Sequence, residues 1–169
     1  MSADPKRLAE WGERMRHDPP GFRLGLCWEG SRTNPNHVRR SIPSPELSAL
    51  GQVPSVVFYS LQVDRGGGAE PPIPLVDHTS AIHDFADTAS LITHLDLVIS
   101  VDTAAAHLAG ALGRNVWTLL PAIPEWRWLI GRSDSPWYPT MRLMRKETAS
   151  WHELVERVAV ELRRQVGRV

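Results

Sequence analysis

Asp102 and Thr103 stand at the end of an apolar run, Leu97 to Val101, interrupted only by Ser100, and three alanines and His107 follow them. An acid and a hydroxyl ahead of small residues suit anion chemistry. If the alanines open a helix, its first amides have no intrahelical acceptor and nothing bulky covers them, so Ala104 and Ala105 can present backbone N–H groups to a phosphate. Asp102 and Thr103 would then meet the phosphate or hydroxyls beside it. The plain alternative is that one of the two caps the helix, which does not exclude binding. His107 falls one turn after Thr103 on the same helical face, and is either turned to the same crevice or a satisfied core histidine.

A second set lies in the polar stretch after the segment Phe22 to Trp28, GSRTNPNHVRRSIP, where Arg39 or Arg40 offers a bidentate grip on phosphate and Ser41 follows directly. The plain alternative is a solvated loop. Gln62 and Asp64 end another apolar run, Val53 to Gln62, and can take ribose hydroxyls or belong to a surface loop. Trp126, Trp128, Trp137 and Tyr138 form either a stacking wall or a satellite core beneath a long loop, with Trp128 and Trp137 the expected exceptions to core packing.

The elements that must position these groups alternate. Pro5 to Arg16 has Leu8, Trp11 and Met15 at helical spacing, and Asp18-Pro-Pro-Gly21 ends it. Phe22 to Trp28, Val53 to Gln62, a brief Leu75 to Asp77, Asp96 to Val101, the segment before Pro121, and Met141 to Met144 read as strands. A short helix starts near Pro45. Asp84 or Asp87 caps another, which runs to Leu95 and turns Phe85, Ala89, Ile92 and Leu95 to the sheet. Thr103 to Leu112 is a helix stopped by Gly113, and Trp151 to Val166 closes the chain. This alternation predicts an α/β fold: a single Rossmann-like domain with a mostly parallel sheet flanked by helices. The Asp-Thr corner then falls at a strand's carboxyl end, where open α/β sheets bind ligands. Residues 1–20 read as an N-terminal helix or connector and 21–169 as the domain.

The 169 residues carry 19 Lys plus Arg against 19 Asp plus Glu, so no global field draws the chain to nucleic acid or anionic membrane. Any anion must be held locally. Cys27 is the single cysteine, which rules out an intramolecular disulfide and a cysteine zinc cluster. With neither a signal-like N-terminus nor an apolar run of spanning length, a soluble, cytoplasmic protein without membrane insertion is expected. GxGxxG, GxxxxGK[ST] and GxSxG are all missing, against dehydrogenase-type dinucleotide binding, a P-loop and an α/β-hydrolase nucleophile. No Asp-x-Asp pair or His/Glu helix motif offers a divalent-metal site, and no cofactor is expected.

The segments SVDTAAAHLAGALG, RRSIP, FYSLQ, DFADTASLI and EWRWL…SPWYPTMRL together resemble the C-terminal half of a family 9-like glycosyltransferase, related to the lipopolysaccharide heptosyltransferases. The pattern is most similar to the version at the end of bacterial tetratricopeptide-repeat proteins, although this chain has no such repeat. The resemblance runs from Phe22 to about Trp151. It implies one half of a GT-B fold, the half that holds a nucleotide-diphosphate sugar. It further implies a ligand-binding set of Arg40, Ser41, Gln62, Asp102, Thr103, Ala104, Ala105 and His107, with Arg40 as phosphate-binding base and Gln62 near the nucleoside. A separate or upstream acceptor-binding domain would supply the catalytic base, and such folds offset diphosphate charge with helix amides and basic side chains instead of a metal. Two other readings stay open: a non-catalytic nucleotide or nucleotide-sugar binding module, and an interaction domain docking through the Trp-rich loop.

Overall fold

The computed structural model of the chain describes residues 1–63, 69–148 and 150–168. Asp64 and the first part of the glycine-rich loop lie outside the described residues. Six strands, β1 (Phe22–Cys27), β2 (Val56–Ser60), β3 (Leu75–Val76), β4 (Leu97–Val101), β5 (Val116–Leu120) and β6 (Met141–Arg145), form one sheet in the order β3-β2-β1-β4-β5-β6. Every neighbouring pair is parallel. β4 and β5 are buried at every position, Ser100 and Thr118 included, as mainly apolar strands covered on both faces are. Strand order reverses between β1 and β4, which opens a crevice at their carboxyl ends.

Side-chain alternation divides the core into two layers. Leu24, Leu26, Leu97, Ile99, Trp117 and Leu119 meet α5 (Trp151–Val166) and a 3-10 stretch, Ser44–Gln52. On the other face Cys27, Tyr59, Val98, Val116 and Leu143 pack with α1 (Pro5–Arg14), α3 (Phe85–Thr93) and α4 (Ala104–Ala111). The expected short helix near Pro45 is thus 3-10, and the polar loop before it contains a helix, α2 (His37–Arg40). β2 begins three residues later than the apolar run, because Pro54 precedes a turn at Ser55 with φ 62°.

Asp84, not Asp87, caps α3, accepting from the amides of Ala86 at 2.9 Å and Asp87 at 3.0 Å. Phe85 does not face the sheet: it is 68% exposed, whereas Ala89, Ile92 and Leu95 are buried. Helical side chains lean toward the N-terminus, so one in the first turn projects past the layer that its successors pack against. Asp87 instead joins α1 to the body. Its carboxylate accepts from the His83 amide at 3.0 Å and the Trp11 indole at 3.4 Å, and lies 2.9 Å from Arg7 Nη1. Burial pushes this carboxyl up, but those donors together outweigh it and hold Asp87 below the usual range. His94 Nε2 bonded to the Leu8 carbonyl at 2.8 Å, and His78 beside Asp18 at 3.0 Å, complete the attachment.

Asp87→Ala leaves the Trp11 indole, the His83 amide and Arg7 without their acceptor, which costs about 2 kcal/mol. Urea unfolding at neutral pH measures it; a loss under about 0.5 kcal/mol would mean that water replaces the carboxylate without penalty.

Candidate functional site

Each side of the crevice between β1 and β4 is built from a strand end. On the β4 side Asp102 follows the last strand residue and is 5% exposed. Thr103 occupies the N-cap position of α4 with extended backbone (φ -138°, ψ 169°), yet its side chain makes no capping bond. Capping by the Asp-Thr pair is therefore not what the structure holds. The Thr103 hydroxyl is turned inward, 2.8 Å from Ser100 Oγ and donating to Cys27 Sγ at 3.7 Å. The helix start keeps its first-turn amides, those of Ala104 and Ala105 among them, clear of any side-chain cap. Cys27 is core, and burial pushes its thiol up, so it stays protonated.

On the β1 side the chain turns at Glu29 and Gly30 and returns through α2. Arg40, at the end of α2, lies across Gly30: a Cβ at residue 30 would stand 2.9 Å from Arg40 Nε, so only glycine leaves the guanidinium this place. Arg40 Nη1 is 3.7 Å from Asp102 Oδ2, while Arg40 Nε is buried and has no protein partner. Arg39 lines a smaller recess beside it. Ser41 accepts from the Gly30 amide at 3.1 Å. Gln62 is buried and spent on the same loop, accepting from the Glu29 amide at 3.0 Å and donating to the Glu29 carbonyl at 3.1 Å. Ser41 and Gln62 thus brace the crevice wall from behind.

The open part of the crevice is a cleft of about 670 Å³ lined by Asn34, Arg40, Asp102, His107, Glu125, Trp126, Arg127, Trp137 and Tyr138. A recess of about 170 Å³ adjoins it through Arg40, Asp102, Glu125 and Trp126. His107 faces this space, its side chain 33% exposed, with Nε2 3.7 Å from Asp102 Oδ1. Burial pushes the Asp102 carboxyl up, but His107, Arg40 and the Trp128 indole N–H together outweigh it and hold it below the usual range. That indole N–H is turned to the carboxylate without completing a regular hydrogen bond.

Within the aromatic loop one expectation is reversed. Trp128 is fully buried, stacked on His107 with 5.0 Å between ring centroids, and Trp126 takes the open position at 70% exposure. Trp137 lines the cleft as expected, 56% exposed and anchored by its indole to the Arg127 carbonyl at 3.0 Å. A 3-10 turn, Trp126–Trp128, followed by Leu129 at φ 54°, puts residues 126 and 128 on opposite sides, which composition does not reveal. Among the described residues no group of three or more His, Cys, Asp or Glu side chains could hold a metal ion, and no helix is long and apolar enough to cross a membrane. A second cavity, about 630 Å³ between β6 and α5, holds arginines already paired: Arg142 with Glu161, Arg157 with Glu147, Arg132 with Asp134.

Because the folded Asp102 carboxyl titrates below its unfolded value of about 3.9, it stabilises the domain above about pH 4 and loses that contribution as pH falls through the lower folded value. Asp102→Asn should therefore melt below the parent protein at pH 7, with the gap closing toward pH 3. An undiminished gap at pH 3 would mean that the charge on Asp102 is not what stabilises the corner.

The sequence model of glycosyltransferase family 9 (heptosyltransferase) matches residues 82–157, from α3 through the Asp-Thr corner into α5. Protein FlbA of Caulobacter vibrioides is 30% identical over 175 residues, a match that takes in 96% of this chain and 28% of FlbA. Among solved structures, the glycosyl transferase family 9 protein from Veillonella parvula superposes with a TM-score of 0.58 at 12% identity, over 98% of this chain and 52% of that one. ADP-heptose lps heptosyltransferase II of E. coli gives 0.61 at 16% identity, over 99% and 53%. The chain spans about half the length of these two and just over a quarter of FlbA. At such identities the structural likeness is one of fold, and it extends to the β3, β2 and β1 side that the sequence model leaves unmatched. The chain thus carries the sequence pattern of glycosyltransferase family 9 across residues 82–157 and, over its whole length, the fold of about half of the two solved structures it matches.

Proposed function

We propose that this domain seats the nucleotide-diphosphate sugar of a glycosyltransferase in the cleft between β1 and β4. One observation carries the reading: Arg40, which lines the cleft 3.7 Å from Asp102, and the uncapped start of α4 stand on the two sides of the same crevice. A cation opposite free helix amides is a seat for an anion with several oxygens, and a diphosphate has them. Asp102 suits the hydroxyls beside that anion, since a carboxylate accepts from them and repels phosphate.

In transfer, the bond between the sugar's anomeric carbon and the diphosphate oxygen breaks as an acceptor hydroxyl oxygen attacks that carbon. Arg40 and the α4 amides stabilise the charge growing on the departing diphosphate. The acceptor's proton needs a base, and Asp102, engaged by Arg40 and His107, is committed elsewhere. That base and the acceptor's wall of the cleft would come from a second half, as the double length of the two solved relatives suggests.

Thermal shift with ADP, GDP, UDP and their sugars tests this, ADP first because the E. coli relative is named for ADP-heptose. A ligand at a hundredfold over its dissociation constant adds about 2.7 kcal/mol of stability. Arg40→Ala should weaken the best ligand by about tenfold or more, or about 1.4 kcal/mol. A flat response to every nucleotide would leave an interaction domain as the reading; binding untouched by both Arg40→Ala and Asp102→Ala would put the site elsewhere.

A further inference from the structure

Both ring nitrogens of His107 have a neighbour in the protein. Nε2 lies 3.7 Å from Asp102 Oδ1, and Nδ1 lies 3.1 Å from the hydroxyl of Tyr138, a residue 31 positions further along. The imidazole stacks on Trp128 at an interplanar angle of 21°, and meets the Tyr138 ring edge-on, 5.7 Å between centroids at 65°. Tyr138 can stand there only because residue 110 is glycine. A Cβ on Gly110, one turn beyond His107 on α4, would lie 2.5 Å from the Tyr138 ring carbon Cγ and 2.9 Å from its Cβ and Cδ1. The bare helix seats the phenol, and the phenol reaches back to the histidine of the same helix.

The hydrogen-bonding rules then select one tautomer. Asp102 is held as a carboxylate and only accepts, so its neighbour Nε2 carries the proton of the neutral ring. Nδ1 is left as an acceptor, and the Tyr138 O–H donates to it. If the ring becomes an imidazolium, Nδ1 donates to the phenol oxygen and neither ring has to move. A hydroxyl, unlike a second carboxylate, serves both protonation states.

We propose that Tyr138 is a positioning residue that keeps a proton on His107 Nε2 at every pH, so that the cleft always presents an N–H donor beside Asp102 to an anionic ligand. The other charged groups lining that space, Arg40 from α2 and Glu125 and Arg127 from the loop after β5, make no hydrogen bond or ion pair to the ring among the described contacts. The choice of tautomer therefore rests on Asp102 and Tyr138. That a diphosphate uses the donor rests on the proposed function; the tautomer itself does not.

Tyr138→Phe keeps the ring on Gly110 and removes only the hydroxyl. In the ligand-free protein, nitrogen-detected NMR of the imidazoles, with His107→Gln to assign the signal, should show the Nε2–H form at pH 8. In Tyr138→Phe the Nδ1–H form should become populated. A parent ring already in the Nδ1–H form, or a variant indistinguishable from the parent, would overturn the proposal. With ADP as the probe, Tyr138→Phe should weaken binding about fivefold at pH 8, one hydrogen bond's worth. An imidazolium carries a proton on both nitrogens whatever Tyr138 does, so the loss should fall below about twofold at an acid pH where the NMR signal of His107 reports the doubly protonated ring. A purely structural hydroxyl would give the same loss at both pH values, and that result would also overturn it. If ADP and the other nucleotides bind neither protein, the proposed function fails, and the NMR comparison still decides the tautomer.

Discussion

A carboxylate kept as an anion at 5% exposure must be surrounded by donors, and Asp102 at the end of β4 sets that requirement for the whole corner. Its partners come from three directions: Arg40 from the loop after β1, His107 from α4 and the Trp128 indole from the loop after β5. Each needs a backbone concession. Gly30 yields space to the guanidinium, Gly110 yields space to the phenol behind His107, and Leu129 takes a left-handed conformation next to Trp128. The cleft is what remains between these commitments.

The distances show how far the corner is committed. Arg40 and His107 both stand 3.7 Å from Asp102, beyond a charge-assisted hydrogen bond of about 2.8 Å. At such a separation the unit charges of Arg40 and Asp102 still attract by about 4 kcal/mol at an effective dielectric constant of 20, which favours the ionised Asp102 while neither Arg40 nor His107 is tied to it by a short hydrogen bond. A diphosphate close to Asp102 would meet repulsion of the same order. Arg40, with the partial positive charge of about half a unit at the α4 start, has to exceed it. In the proposed seat a ligand's parts would therefore separate: charge toward Arg40 and α4, hydroxyls toward Asp102.

Legibility in the sequence followed the range of the interactions. Period and breakers located the strands and main helices, because burial on both faces of a parallel sheet writes a local pattern, and the Asp-Thr corner was placed at its strand end by the same logic. The roles of individual polar groups were not local. Thr103 looked like a cap, but Ser100 and Cys27, brought together by β1 and β4 pairing, offered its hydroxyl better partners than the helix did. Gln62, which the sequence left open between a ribose contact and a surface loop, is buried and braces Glu29. Trp126 and Trp128 exchanged their expected places because a turn with a positive φ decides sidedness, and neither composition nor period encodes that turn. A residue pair such as His107 and Tyr138, joined through a glycine, leaves no signal in a single sequence.

Stability and site occupy different parts of the same sheet. The attachment of α1, through Asp87, His94 and His78, lies over the layer that contains Tyr59 and Leu91, whereas every residue lining the cleft follows a strand's carboxyl end. Strands β4 and β5, buried throughout, connect the two. Close packing makes that connection stiff, so a rim side chain such as Trp126 or Trp137 can change with little effect on the core beneath it. Asp102 is the exception, because its carboxylate belongs to both. Removing it exposes an imbalance in the core's polar edge and in the cleft's charge at once, and only the dependence on pH separates the two: the stabilising charge vanishes with protonation of one carboxyl, while Arg40 and the α4 amides, the proposed anion seat, keep their charge.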